Sequence, residues 1–216
     1  MSQPKVAAGK ASHFVASDEL SKFRDTENPD EIVEDIAYAG QPGEETTAAT
    51  LTIFVLVMTL YPEVQARAQA EIDDVAGPDR LPDFDGHASM PYVEAVYRET
   101  LRWKPIAPIP QRKLICVAGA LIIPNVWAMS QNTDRYPSPS SFDPSRFLDG
   151  DGNLVGGEPS YVFGFGRRIR PGRHFANASL WPAMICVLGR FRIEKVKDVA
   201  VDDIEPNPEW TVGLTT

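Results

Sequence analysis

From Ala48 to Tyr61 the chain reads AATLTIFVLVMTLY, a run that is apolar on nearly every face of a helix. A surface helix keeps one polar face, so this one is predicted to be a central helix buried on all sides. It is shorter than the ~20 residues that cross a bilayer, and Thr50, Thr52 and Thr59 interrupt it. It therefore reads as the middle of a protein core. The rest of the chain has to supply the elements that cover it.

Those elements are legible as further helices. Pro62 suits the first turn of PEVQARAQAEIDDVAG, where Val64, Ala68 and Ile72 share a face and Gly77 stops the helix. Ser89 is expected to cap MPYVEAVYRETLRW, with Val93, Val96, Tyr97 and Leu101 as its apolar stripe. Upstream, Ser17–Ala39 reads as one or two helical pieces capped by Asn28 or Asp30, and Ala39-Gly40-Gln41-Pro42-Gly43 is predicted to interrupt any helix. The prolines of Lys104–Pro110 impose an extended path, and Lys113–Pro124 has the β-type residues of one or two short strands. A loop-rich meander follows over Asn132–Gly157; segments of that length in a compact domain usually serve a function. The residues from Arg173 to Leu188 are helical despite Pro182, and PEWTVGLTT is a short β-like tail. The fold class is mainly α with small β elements, with residues 1–16 a tail and 17–216 one partial domain.

Charge limits the function classes. The 216 residues carry 21 basic and 30 acidic side chains, a net −9, which argues against nucleic acid as a partner. The acids crowd the first third, whereas Arg167, Arg168, Arg170 and Arg173 fall within seven residues. Cys116 and Cys186 each lie in an apolar segment and read as buried free thiols. MSQPKVAAGKASHF lacks the apolar core of a signal peptide, so the chain is expected to carry no leader and no membrane span.

The arginine cluster belongs to Phe163–Ala176, FGFGRRIRPGRHFA. Ile169 stands where a dinucleotide loop needs its third glycine, which excludes that reading. Four arginines on a glycine-rich loop before a helix form a possible anion site for a phosphate or a haem propionate. The simpler alternative is that they are solvated or pair with the acidic first third.

This loop resembles the haem loop of the cytochrome P450 superfamily: Phe, two residues, Gly, one residue, Arg, one residue, Cys, one residue, Gly. Phe163, Gly166, Arg168 and Gly172 fall in register, and Arg170 occupies the position of the axial cysteine. Three further segments carry the resemblance. Glu99 and Arg102 match the family's Glu-x-x-Arg pair on a helix, and i,i+3 spacing puts them on one face. Pro144-Ser145-Arg146-Phe147 resembles the family's Pro-Glu-Arg-Phe, whose arginine locks that pair. Gly43-Glu44-Glu45-Thr46-Thr47 resembles its oxygen-binding groove. LYPEVQARAQAEID, VWAM and GRHFANASLW further resemble fungal members.

The resemblance implies a C-terminal half of a haem-thiolate monooxygenase, an incomplete version of that α-rich fold. In that family haem iron inserts one oxygen atom into a small apolar substrate, with electrons from a reductase, usually at the endoplasmic reticulum. By resemblance Glu45 and Thr46 relay protons on the distal side, Arg168 pairs with a propionate, and Gln111 and Arg112 sit where a His-Arg pair does the same. Glu99, Arg102 and Arg146 are structural.

The departures concern the chemistry. A thiolate pushes electron density onto iron and favours cleavage of bound dioxygen. Guanidinium has five donors, no lone pair to give, and a pKa above ~12, so Arg170 leaves no metal ligand at the axial position. His174 lies four residues on and would have to swing inward; Cys186 is roughly 24 Å away along a helix. Gln41-Pro42 reads as an insertion, and a strand's worth of residues is missing around Ile123–Trp127. The resulting expectation is a catalytically inactive pseudoenzyme or fragment, the alternative being a non-catalytic binding or regulatory fragment that holds an anion at Arg167–Arg173.

Overall fold

The computed structural model describes residues 29–77, 80, 84–108, 114–115, 121–166, 169–170, 172–198 and 202–207. The expected cap Asn28, Cys116 and the tail PEWTVGLTT lie outside the described residues, and Asp30, the alternative cap, lies within the helix that begins at Pro29. The chain divides into two units, Met1–Glu45 and Thr46–Thr216. In the first, the described residues are helical backbone.

Helix α1 spans Pro29–Leu60, so the interruption expected at Ala39–Gly43 does not occur. Pro42 lacks one N–H and so removes a single i to i−4 bond; the bonds of neighbouring residues carry the helix across. The second difference concerns burial. In the C-terminal unit α1 buries Ile53, Phe54, Val57 and Met58, while Thr52 is exposed and Val55 is 44% exposed. Within this chain the apolar helix is covered on one face, whose buried residues belong to the main hydrophobic core.

Helix α2, Pro62–Ala76, begins at proline and ends where the Gly77 amide bonds the Asp73 carbonyl at φ +77°, a conformation glycine adopts without steric cost. It buries Val64, Ala68 and Ile72. It also buries Gln65, a residue without apolar signal. The Gln65 amide group donates to the Ile193 carbonyl (2.8 Å) and accepts from the Ile193 amide (2.7 Å), and Gln69 donates to the Leu188 and Phe191 carbonyls. These bonds fasten the segment that follows Leu188 to α2.

Helix α3, Pro91–Trp103, is preceded by a 3₁₀ turn, Phe84–Ser89. Ser89 lies in that turn and is not its cap; Met90 occupies the N-cap position and makes no side-chain capping bond. The Glu71 carboxylate of α2 takes the Tyr92 and Val93 amides at 3.0 and 2.8 Å. These are orphan donors of a first turn, and an anion there also meets the positive end of the helix dipole. Glu71→Ala is therefore expected to cost about 1–2 kcal/mol, the range of a lost N-cap, seen as a lower urea midpoint. A change no larger than that of an exposed Glu63→Ala control would refute the role.

β1, Leu114–Ile115, and β2, Leu121–Ile122, pair antiparallel as Leu114 with Ile122 and Ile115 with Leu121. Asn125 caps the short α4, Val126–Ser130, by accepting the Ala128 amide. Two further 3₁₀ turns follow, Pro144–Phe147 within the meander and Ser160–Phe163 after it. Helix α5 spans Arg173–Leu188 with Pro182 inside it and buries Leu180, Trp181, Met184, Ile185 and Leu188. One core thus joins α1, α2, α3 and α5. Among the described residues no single helix is long and apolar enough to cross a membrane.

Between α3, α5 and the loop before the 3₁₀ turn at Ser160 runs a half-buried polar chain. The Tyr97 hydroxyl donates to Asn177, and Asn177 donates to Glu158 at 3.1 Å. Burial, the dominant cause, raises the Glu158 pKa above its usual value, against the Asn177 hydrogen bond that lowers it. A folded-state pKa above the unfolded one means the native state binds the proton more tightly. The stabilisation is complete below the unfolded carboxyl pKa and is lost as pH rises through the folded one. Glu158→Gln keeps the acceptor and removes the charge, so it should raise the melting temperature at pH 7.5 and leave it nearly unchanged at pH 4. Equal shifts at both pH values would disprove a titration effect.

Candidate functional site

Three elements bring side chains with chemistry into proximity: α3, the meander and the loop between the Ser160 turn and α5. At the C-terminal end of α3, Glu99 and Arg102 are both fully buried. Their contact is bidentate, Arg102 Nε to Glu99 Oε2 at 2.6 Å and Nη2 to Oε1 at 2.7 Å. Arg146, from the 3₁₀ turn Pro144–Phe147, donates to Glu99 Oε1 at 3.1 Å. The Asp143 amide donates to the same oxygen at 2.9 Å. The structure thus brings together Glu99, Arg102 and Arg146.

Two guanidinium groups share one carboxylate, and the backbone supplies the remaining acceptors. Arg102 donates to the carbonyls of Ser130 and Ser141, and Arg146 to those of Pro137 and Ser141. Beside them the Trp103 indole donates to the Ser140 carbonyl at 2.7 Å. The Arg102 guanidinium carbon lies 5.3 Å from the Tyr136 ring centroid. A charge can be buried when every donor and lone pair is matched in this way. The meander is consequently held by hydrogen bonds from α3 to its carbonyls.

Backbone bonds tie together the described residues between Phe163 and Arg173. The Arg170 amide donates to the Phe163 carbonyl at 2.8 Å, and the Ile169 amide to Gly166 at 3.2 Å. Gly166 has φ +59° with open space where a Cβ would stand; its backbone conformation, rather than crowding, favours glycine there. Gly172 precedes α5 with φ −70° and equally open surroundings, so nothing in the described structure demands glycine at that position. His174 is exposed on the first turn of α5, and Cys186, a free thiol, lies near its far end. Arg112, Gln111, Arg167 and Arg168 fall outside the described residues.

Between α1 and this loop lies a cleft of about 50 Å³. Thr46, Thr47 and Thr50 of α1 form one side, and Phe163 and Arg170 of the loop another. Thr46 and Arg170, far apart in sequence, therefore line one space. The remaining walls are largely apolar and include Ile53, Leu101, Ile106 and Leu180. Glu45 is exposed and belongs to the N-terminal unit. A donor-only guanidinium at Arg170 can hold an anion and cannot donate a lone pair to a metal.

The family pattern for cytochrome P450 matches residues 15–216. Cytochrome P450 monooxygenase 176 of Postia placenta is 42% identical over 184 residues, spanning 80% of this chain and 35% of that protein. Cytochrome P450 monooxygenase claR of Ampulloclitocybe clavipes is 39% identical over 226 residues, spanning 98% of this chain and 42% of that protein. A solved zebra fish cytochrome P450 structure with abiraterone superposes with a TM-score of 0.64 at 26% identity, covering 76% of this chain and 41% of that one. The chain thus spans about two fifths of the length of the relatives it matches.

Proposed function

Because the chain belongs to the cytochrome P450 family, we propose that Phe163–Ala176 is a haem loop that has lost its iron ligand, and that this chain does not itself catalyse monooxygenation. The observation that carries the reading is Arg170. Its backbone bonds to Phe163, and the residue lines the same cleft as Thr46 and Thr47. On this reading a cation with no lone pair stands where the family's chemistry needs a thiolate.

The family implies haem, and the residues present fit it poorly. A guanidinium facing ferric iron adds like charge to like charge. Neither His174 nor Cys186 borders the cleft among its described lining residues. Thr46 is well placed to line a distal surface by resemblance, yet a proton relay has no use without a ligand that activates oxygen. The reductase and the apolar substrate of the family are, for the same reason, without a task in this chain. Glu99, Arg102 and Arg146 keep the structural role their resemblance implies, holding the meander against α3.

The test is spectroscopic. The full chain, mixed with hemin, reduced and exposed to carbon monoxide, should give no thiolate-type absorption band. A band of that type from the unaltered chain would refute the proposal.

A further inference from the structure

The dipeptide Asp-Gly occurs three times in the chain, at Asp85-Gly86, Asp149-Gly150 and Asp151-Gly152. Asp-Gly favours one uncatalysed reaction, in which the glycine amide nitrogen attacks the aspartyl side-chain carbon. An N–Cγ bond forms and a Cγ–O bond breaks; the oxygen leaves as water, carrying the carboxyl proton and the amide proton. The five-membered succinimide then takes up water at either carbonyl. One product is aspartate again, the other isoaspartate, whose main chain runs through the side-chain carbons. Glycine helps because no Cβ obstructs its nitrogen.

The fold separates the three. Asp85-Gly86 lies in the 3₁₀ turn Phe84–Ser89, with Gly86 half-buried, and ring closure needs the aspartyl ψ to leave the helical range that such a turn fixes. Asp149 is held in another way. One of its carboxylate oxygens accepts the Asp151 and Asn153 amides at 3.0 and 2.8 Å, and the Asn153 side-chain amide lies 3.3 Å from the other. These bonds, that of the Asn153 backbone first, lower the Asp149 pKa. The group therefore stays ionised, and a carboxylate is a far poorer electrophile than a carboxylic acid. Asp151 is exposed, and among the described residues no hydrogen bond or ion pair engages its carboxylate. The attacking nitrogen, that of Gly152, donates to the Asp149 carbonyl at 3.1 Å, so the turn must open before the ring can close. At an exposed turn such opening costs little.

We propose that Asp151 is a site of spontaneous isomerisation to isoaspartate, and that Asp149 slows it by holding the amides of the loop. The added main-chain carbon would disturb the register of the antiparallel bridge between Leu148 and Leu154, which closes this turn. It also makes residue 151 a substrate for a carboxyl methyltransferase that recognises isoaspartyl groups and uses S-adenosylmethionine. The reaction involves neither Arg170 nor haem, so its outcome and that of the carbon monoxide test are independent.

The full chain, kept folded at neutral pH for several weeks, is digested and its peptides are sequenced by electron-transfer fragmentation, which distinguishes isoaspartyl from aspartyl residues. Isoaspartate should accumulate at Asp151 ahead of Asp149 and Asp85. In urea, where no turn holds Asp149, Asp149 and Asp151 should react at similar rates, so the ratio in the folded chain reports the structure and not the dipeptide. Asp149→Ala should speed the reaction at Asp151 by about tenfold, the scale of losing a hydrogen bond to a charged group. Asp151→Glu keeps the charge at an exposed position and should abolish the signal there, because its ring would need a sixth member. Isoaspartate forming at Asp149 or Asp85 as fast as at Asp151 in the folded chain, a folded ratio equal to that in urea, an unchanged rate in Asp149→Ala, or a signal that persists in Asp151→Glu would each overturn the proposal.

Discussion

Glu99→Ala should lower the stability of the fold by about 3–5 kcal/mol, the cost of breaking a buried ion pair from one side. The measurement is a urea midpoint at unchanged slope. Among the described residues Glu99 is the anion that pairs with both Arg102 and Arg146, and it also accepts the Asp143 amide. Its removal leaves a guanidinium with no exposed surface facing two carbonyls and the Tyr136 ring but no anion, and orphans a backbone donor. Arg102→Lys should also destabilise, because one ammonium cannot make the two parallel bonds of the guanidinium fork. Replacing Glu99 and Arg102 together by leucine and methionine should cost less than Glu99→Ala alone, since only Arg146, rather than both guanidinium groups, then loses its carboxylate. A loss below about 1 kcal/mol for Glu99→Ala would place the pair in the class of surface salt bridges and contradict its burial.

Arg170→Cys should convert a chain without a thiolate-type carbon monoxide band into one that has it. The change removes a fixed positive charge and puts a thiol on a turn whose closure depends on backbone bonds, the Arg170 amide to Phe163 and the Arg173 amide to Arg170. Those bonds involve no side chain of residue 170, so the loop should survive the substitution. Arg170→Ser, with similar size and no sulfur, should give no band. If Arg170→Cys binds hemin and the band is still missing, the loop does not present residue 170 to iron, and the carry-over from the family loop to this chain fails at that step. If the unaltered chain already shows the band, some other thiolate reaches the iron and the non-catalytic reading is lost.

Local features were readable along the chain because they depend on neighbouring residues. The apolar spacing of Val64, Ala68 and Ile72 and the Gly77 stop both appear in α2. The interval between Glu99 and Arg102 places both on one helix face, whatever the fold. Helix α5 tolerates Pro182 as its surrounding pattern implied. Where reading from local signals went astray, the omitted quantity was long-range. Ser89 looked like a cap because serine at such a position often is one; Glu71, some twenty residues away, takes the amides instead. Gln65 carries no apolar or catalytic signal, and only its pairing with Ile193 explains its burial.

What the sequence by itself determined was the identity of the helices and the family pattern of residues, with Arg170 at the position of the ligand. Both follow from periodicity and spacing, which the covalent chain holds whatever its partners. The tertiary structure decided burial and company. It turned an i,i+3 pair worth little in water into a buried network, covered the apolar helix on one face, and brought Thr46 and Arg170 to one cleft. The reason is physical: an ion pair, a cap and a cleft take their energies from solvent exclusion and from residues distant along the chain, and neither is written in the local order of residues.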